Sequence, residues 1–152
     1  VKHRQVVVDQ SAIVAALDPA ADLHSIVRIE LLELLDRFER ADVLLVTHTD
    51  AVTGAAAELA ARGLPREVTD SVADLAEAFD VVVLHDDLRD DAREVMFTAR
   101  DHGIDLSTTT ALTVEVARRR GTRRILSVDP GLSALDLVVI PAVVLPGQIS
   151  PA

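Results

Sequence analysis

Along this chain, short β-branched apolar runs alternate with longer stretches in which apolar residues recur at helical spacing. Val6, Val7 and Val8 read as a buried strand that ends at Asp9. Ser11 opens a short helix to residue 16, stopped near Asp18 and Pro19. Over residues 22–40 the positions Leu23, Ile26, Val27, Leu31, Leu34, Leu35 and Phe38 predict an amphipathic helix of roughly five turns. A second strand is expected at 43–47, then a helix over 51–62 ended by Gly63 in the place of a left-handed cap residue. Pro65 suits the first turn of a helix running to residue 78. A third strand at 81–84 leads into a charged helix from residue 86 or 87 to 102, before Gly103. Ser107 is placed to cap a helix over 108–120 that Gly121 ends. A fourth strand at 124–128 runs into the turn signal Asp129-Pro130-Gly131, and a fifth is expected at 136–140, with Pro141 beyond it.

Strands that alternate with helices predict an α/β fold in three layers, α/β/α, around a mostly parallel sheet covered on both faces. The 152 residues make one domain of ordinary size, read as residues 1–145 with a flexible tail at 146–152. Aromatic residues are only 2% of the chain, with no Trp or Tyr, so the core must be built from Val, Leu, Ile and Ala. The absence of Cys excludes disulfides and thiolate chemistry. The longest apolar run, 137–146, falls short of the ~20 residues of a membrane span, and no charged-then-apolar leader opens the chain. A cytoplasmic, non-membrane protein is the expectation. A net charge of −10 disfavours broad electrostatic binding of nucleic acid and suits a basic partner.

In open α/β sheets, sites form beyond the carboxyl ends of the strands. Asp9 follows the first strand, His48 and Asp50 the second, His85, Asp86 and Asp87 the third, and Asp129 the fourth. Carboxylates converging there would hold a hard divalent cation, able to activate water and stabilise charge on a phosphodiester. An Asp after a strand also serves as a turn former or helix cap, and His85-Asp86 reads best as a capped helix start. His24 and His102 fall on helices, facing solvent, and His48 lies nearer the strand ends without a partner His at metal spacing. No Gly-rich phosphate loop and no Gly-x-Ser-x-Gly elbow is present, and Lys2, the only Lys, is misplaced for a response regulator. Arg118, Arg119, Arg120, Arg123 and Arg124 suit either RNA phosphates or an ordinary helix C-terminus.

Three segments carry a resemblance: the opening Val-Val-Val-Asp9-Gln-Ser-Ala-Ile, the middle Leu45-Val-Thr-His-Thr-Asp-Ala-Val, and the closing Asp105-Leu-Ser-Thr-Thr-Thr-Ala-Leu through Ser127-Val-Asp129-Pro-Gly-Leu. In this order and spacing they resemble the PIN-domain nucleases of the VapC toxin type, from about residue 5 to 141. The resemblance implies Mg²⁺- or Mn²⁺-dependent cleavage of RNA by clustered carboxylates, an antitoxin protein as partner, and a homodimer. Asp9 matches the family's first acid and Asp129 its last, so both are expected at the metal, with Ser11 supporting. The acid of the Ser-x-x-Asp-Ala pattern falls on Thr110, and the helix glutamate falls on Gly54 or Ala55. Glu58 and Asp105 are the nearest substitutes, and Arg118, Arg119 and Arg120 are the candidate RNA contacts. Two readings follow: an endoribonuclease, or a PIN-fold binding and assembly module that has lost catalysis.

Overall fold

A short extended run makes a strand only where neighbours pair with it, and here five such runs pair in parallel. The computed structural model describes residues 4–40, 42–135 and 137–140. In chain order its elements are β1 (Arg4–Val8), α1 (Gln10–Leu17), α2 (His24–Glu39), β2 (Val43–His48), α3 (Thr49–Ala61), α4 (Arg66–Ala76) and β3 (Asp80–Val82). Then come α5 (Asp86–Asp101), α6 (Thr108–Arg119), β4 (Arg124–Leu126), a short 3₁₀ turn (Pro130–Ala134) and β5 (Val138–Ile140). The sheet order is β3-β2-β1-β4-β5, and every pairing is parallel.

Val6, Val7 and Val8 are all buried because both faces of β1 are covered. Val6 and Val8 pack with Leu45 against Ile13, Val27, Leu59 and Val72 of α1 to α4. Val7 packs with Val46 and Ile125 against Leu88, Ala92, Leu112 and Val116 of α5 and α6. Three layers result, as the alternation of elements predicts. Helix α6 is the most enclosed: Thr110, Ala111, Leu112, Thr113, Glu115, Val116 and Ala117 are all buried, since it lies on the sheet and against α5. Gly121 ends it at φ 67°, a left-handed turn that lets the Thr122 N–H reach the Ala117 carbonyl at 3.0 Å.

The order of connections fixes where a site can form. From β1 the chain moves outward to β2 and β3, then returns to the other side for β4 and β5. β1 and β4 therefore flank the switch point, where the loops after neighbouring strands part and leave a crevice. The fifth strand begins at Val138, whereas the sequence places its start at residue 136, which lies outside the described residues along with Pro141 and the expected tail at 146–152. Among the described residues no helix is long and apolar enough to cross a membrane.

Candidate functional site at the head of the sheet

Asp9 leaves β1 in an extended conformation, and its backbone N–H donates to the Leu126 carbonyl at 2.9 Å. It occupies the N-cap position of α1, yet its side chain caps nothing there. The carboxylate turns toward α6 and β4 and accepts four hydroxyl hydrogen bonds. Oδ2 accepts from Ser11 at 2.8 Å, Ser127 at 2.9 Å and Thr110 at 3.2 Å, and Oδ1 accepts from Thr113 at 2.8 Å. Asp9 is completely buried.

Each hydroxyl is itself oriented. Ser11 Oγ accepts from the Val128 N–H at 3.2 Å, and Ser127 Oγ accepts from the Asp129 N–H at 3.0 Å. Thr110 Oγ1 accepts from Ser107, the N-cap of α6, at 3.0 Å. Thr113 Oγ1 lies 2.9 Å from Nε2 of His48, which is also fully buried. Nδ1 of that ring accepts from the Ala51 N–H at 3.2 Å, capping α3, so Nε2 carries the hydrogen and donates to Thr113. Burial pushes the His48 pKa below its ordinary value, and the charges of Asp9 and Asp50 only partly oppose this. The network therefore runs in one direction, from imidazole N–H through a threonine hydroxyl to carboxylate.

Above this cage lies a groove of about 830 Å³, whose lining includes Ser11, Glu58, Asp105, Thr110 and Asp129. The structure thus brings the matched and substitute acids to one place, while Asp9 lies beneath the groove floor and outside its lining. Asp129 Oδ1 accepts the Gly131 N–H at 2.8 Å and caps the 3₁₀ turn. Glu58 pairs with Arg62 Nη2 at 2.9 Å, and Nη1 of the same guanidinium holds Asp18 at 2.9 Å. The hydrogen bond from Arg62 keeps the Asp18 carboxyl below the usual carboxylate range. Asp105 is exposed, with no hydrogen bond or ion pair among the described residues.

Of the two positions of the missing glutamate, one belongs to the core and the other lies under a movable side chain. Ala55 is completely buried in the core beside Leu59. A Cβ at Gly54 would lie 2.1 Å from Oε1 of Gln10, a groove-lining residue. Asp50 turns instead to Arg89, at 2.9 and 3.1 Å, and the guanidinium holds its carboxyl below the ordinary range. The arginines at the end of α6 lie outside the groove lining and are bound by acids. Arg118 and Arg119 both donate to the buried Glu115, Arg119 also to Asp87 and Asp91, and Arg120 to Asp80 at 2.7 Å. Burial pushes Glu115 up, but the two guanidinium groups outweigh it and hold the carboxyl low.

These residues do not fit a Mg²⁺ or Mn²⁺ ion. Among the described residues no three His, Asp or Glu side chains form a group able to hold a metal. Three hydroxyl hydrogens point at Oδ2 of Asp9, where a cation would have to approach. Mg²⁺ asks for near-octahedral oxygen at about 2.1 Å; Oδ2 of Asp9, already accepting three hydroxyls, offers it no free lone pair, and Oδ1, which accepts from Thr113, is the one carboxylate oxygen left in the cage. Sequence reasoning placed Asp9, Ser11, Thr110 and Asp129 together, put His48 near the strand ends without a role, and missed Thr113 and Ser127. The signal for the first was its place one turn after Thr110 in the same helix, and for the second its place at the end of the strand beside β1.

No protein-family model matches the chain, and no curated protein matches it. Solved structures do. VapC20 of Mycobacterium tuberculosis, a sarcin-ricin loop cleaving toxin, superposes with a TM-score of 0.69 at 19% identity, over 88% of this chain and 96% of its own. FitAcB from Neisseria gonorrhoeae gives a TM-score of 0.61 at 15% identity, over 88% and 95%. FitAB bound to a DNA fragment gives 0.62 at 14%, over 88% and 92%. At such identities the likeness speaks for the fold, and the fold of this chain is that of the VapC-type PIN domains.

Proposed function

We propose that this chain is a PIN-fold binding module without metal-dependent nuclease activity, and that its groove receives a basic segment of a partner protein of the antitoxin kind. The observation that carries the proposal is the cage around Asp9, in which four hydroxyls stand where a nuclease needs an ion. Charge supports the choice of partner. Asp22, Glu58, Asp105 and Asp129 line the groove, against the single guanidinium of Arg62, which Asp18 and Glu58 already share. Such a lining repels a phosphodiester and attracts a cation. The module works in the cytoplasm as a homodimer, and the exposed apolar residues Ile26, Ile29 and Leu32 of α2 supply apolar surface for the second copy.

The endoribonuclease reading has one observation in its favour: Glu58, Asp105 and Asp129 share the groove directly above Asp9. It requires Glu58 and Asp129 to leave their present partners and gather with Asp105 on one ion.

Two measurements separate the readings. Incubation of structured RNA with the protein and Mn²⁺ is expected to give no cleavage; cleavage that disappears in Asp9→Asn and Asp129→Asn would establish the nuclease. Titration with a fluorescein-labelled hexa-arginine peptide is expected to show saturable binding. That binding should weaken in Asp105→Asn/Asp129→Asn and persist in the surface control Asp74→Asn/Asp101→Asn. Equal weakening in both would mean that net charge alone attracts the peptide, and the groove assignment would fall.

A further inference from the structure

The opposite edge of the sheet holds a second, smaller depression of about 360 Å³, lined by Arg4, Gln5, Leu44, Arg120, Gly121, Thr122 and Arg124. Arg4 is the first residue of β1 and Arg124 the first of β4, and these are adjacent parallel strands, so the two side chains share this edge. In a chain of net charge −10, most guanidinium groups are bound by acids, and Arg120 is held by Asp80 at 2.7 Å. Those of Arg4 and Arg124 make no ion pair or hydrogen bond among the described residues.

The end of α6 reaches the same depression through Arg120 and Gly121. A helix C-terminus carries about half a negative charge. Two unpaired guanidinium groups therefore leave a surplus of roughly one and a half positive charges, close to what a phosphate monoester brings at neutral pH. Planar guanidinium forks also match phosphate oxygens in pairs.

A second feature points to more than a bare anion. Oε1 of Gln5 is a buried side-chain oxygen with no hydrogen-bond partner among the described residues. The same amide holds the Arg120 carbonyl only at a long 3.5 Å. The nearby Thr122 hydroxyl cannot help, because it donates to the Gln5 carbonyl at 2.7 Å and accepts from the Arg124 N–H at 3.2 Å. An unpaired buried acceptor calls for a donor; the oxygen is enclosed, and a ligand reaches it when the amide, held by that single long bond, turns toward the depression that Gln5 lines, where half-buried Leu44 adds an apolar wall.

We infer that the depression between Arg4 and Arg124 binds a small phosphorylated sugar, with the phosphate on the two guanidinium groups and a hydroxyl donating to Gln5. Sugar phosphates and mononucleotides share this chemistry. The site lies at the other end of the strands from the acidic groove and does not depend on the function proposed for it.

The test is a ¹H–¹⁵N NMR titration of the whole chain, reading the arginine Nε–H signals, with ribose 5-phosphate, AMP and inorganic phosphate in separate arms. Saturable shifts at Arg4 and Arg124 are expected with ribose 5-phosphate. Arg4→Gln and Arg124→Gln are each expected to weaken binding about tenfold, while Arg28→Gln, remote in the sequence on α2, leaves it unchanged. Tighter binding of AMP assigns the site to nucleotides; equal binding assigns it to sugar phosphates at large. Backbone signals in the same spectra report whether each variant is folded. No saturable shift, shifts that survive both arginine substitutions, or inorganic phosphate binding as tightly as ribose 5-phosphate would each overturn the assignment.

Discussion

Thr113→Val removes one oxygen from a fully buried network and leaves shape and volume nearly unchanged. That hydroxyl donates to Asp9 Oδ1 at 2.8 Å and receives the His48 Nε2 hydrogen at 2.9 Å. It also lies 3.1 Å from the Thr109 carbonyl, a contact the helix can lose at little cost. After substitution Oδ1 has no donor, out of reach of water, while the imidazole N–H keeps the Thr109 carbonyl as its remaining acceptor. A hydrogen bond to a carboxylate contributes about 1.5–3 kcal/mol. The loss expected is therefore about 2–3 kcal/mol, which in a chain of this size lowers Tm by roughly 4–12 °C. Urea unfolding with an unchanged m-value, alongside calorimetry, reads it directly. Thr108→Val, at an exposed first-turn position without side-chain bonds, is the control and should change stability by less than about 0.5 kcal/mol. If Thr113→Val costs no more than that control, the cage is not holding Asp9 and the account of the site fails.

Other outcomes follow from the same geometry. Thr110→Asp sets a second carboxylate beside Asp9 and should destabilise the ion-free protein by roughly 2–4 kcal/mol; Mn²⁺ should then raise Tm in the variant and not in the parent, as a thermal shift assay would show. His48 is pushed below its ordinary pKa of 6.5 by burial, so the unfolded chain binds the proton first. Its contribution is full above about pH 6.5 and is lost as pH falls through that value toward the lower folded pKa; in His48→Gln the fall in stability between pH 6.5 and 5 should be shallower. Glu115→Ala leaves Arg118 and Arg119 without their shared buried acceptor and should cost about 2 kcal/mol, below the usual figure for a buried pair because both guanidinium groups reach solvent; equilibrium unfolding measures this.

The layer order was legible because each strand is a short β-branched run and each helix carries an apolar stripe. The ends were less so. The third strand, expected to reach Leu84, stops at Val82, since pairing with the end of β2 extends only from Val46 to His48. Asp9, Ser11, Thr110 and Asp129 were readable as one constellation, because strand ends and a helix start converge whatever else the chain does. What filled the gap left by the missing acids was not readable. Thr113 and His48 look like an ordinary helix threonine and a stray histidine until β2 and α6 are packed across β1. The arginines at the end of α6 show the reverse: the sequence left open whether they grip phosphate or end a helix, and Glu115, Asp87, Asp91 and Asp80, on three separate elements, bind them.

Manganese itself is the most direct probe of whether the oxygens of residue 9 are free for a cation. Titration of Mn²⁺ followed by water proton relaxation should reveal no site tighter than about 10⁻³ M, the weak end of oxygen-ligand affinities. A one-to-one site of about 10⁻⁵ M, abolished by Asp129→Asn, would contradict the hydroxyl cage and return the chain to the nucleases.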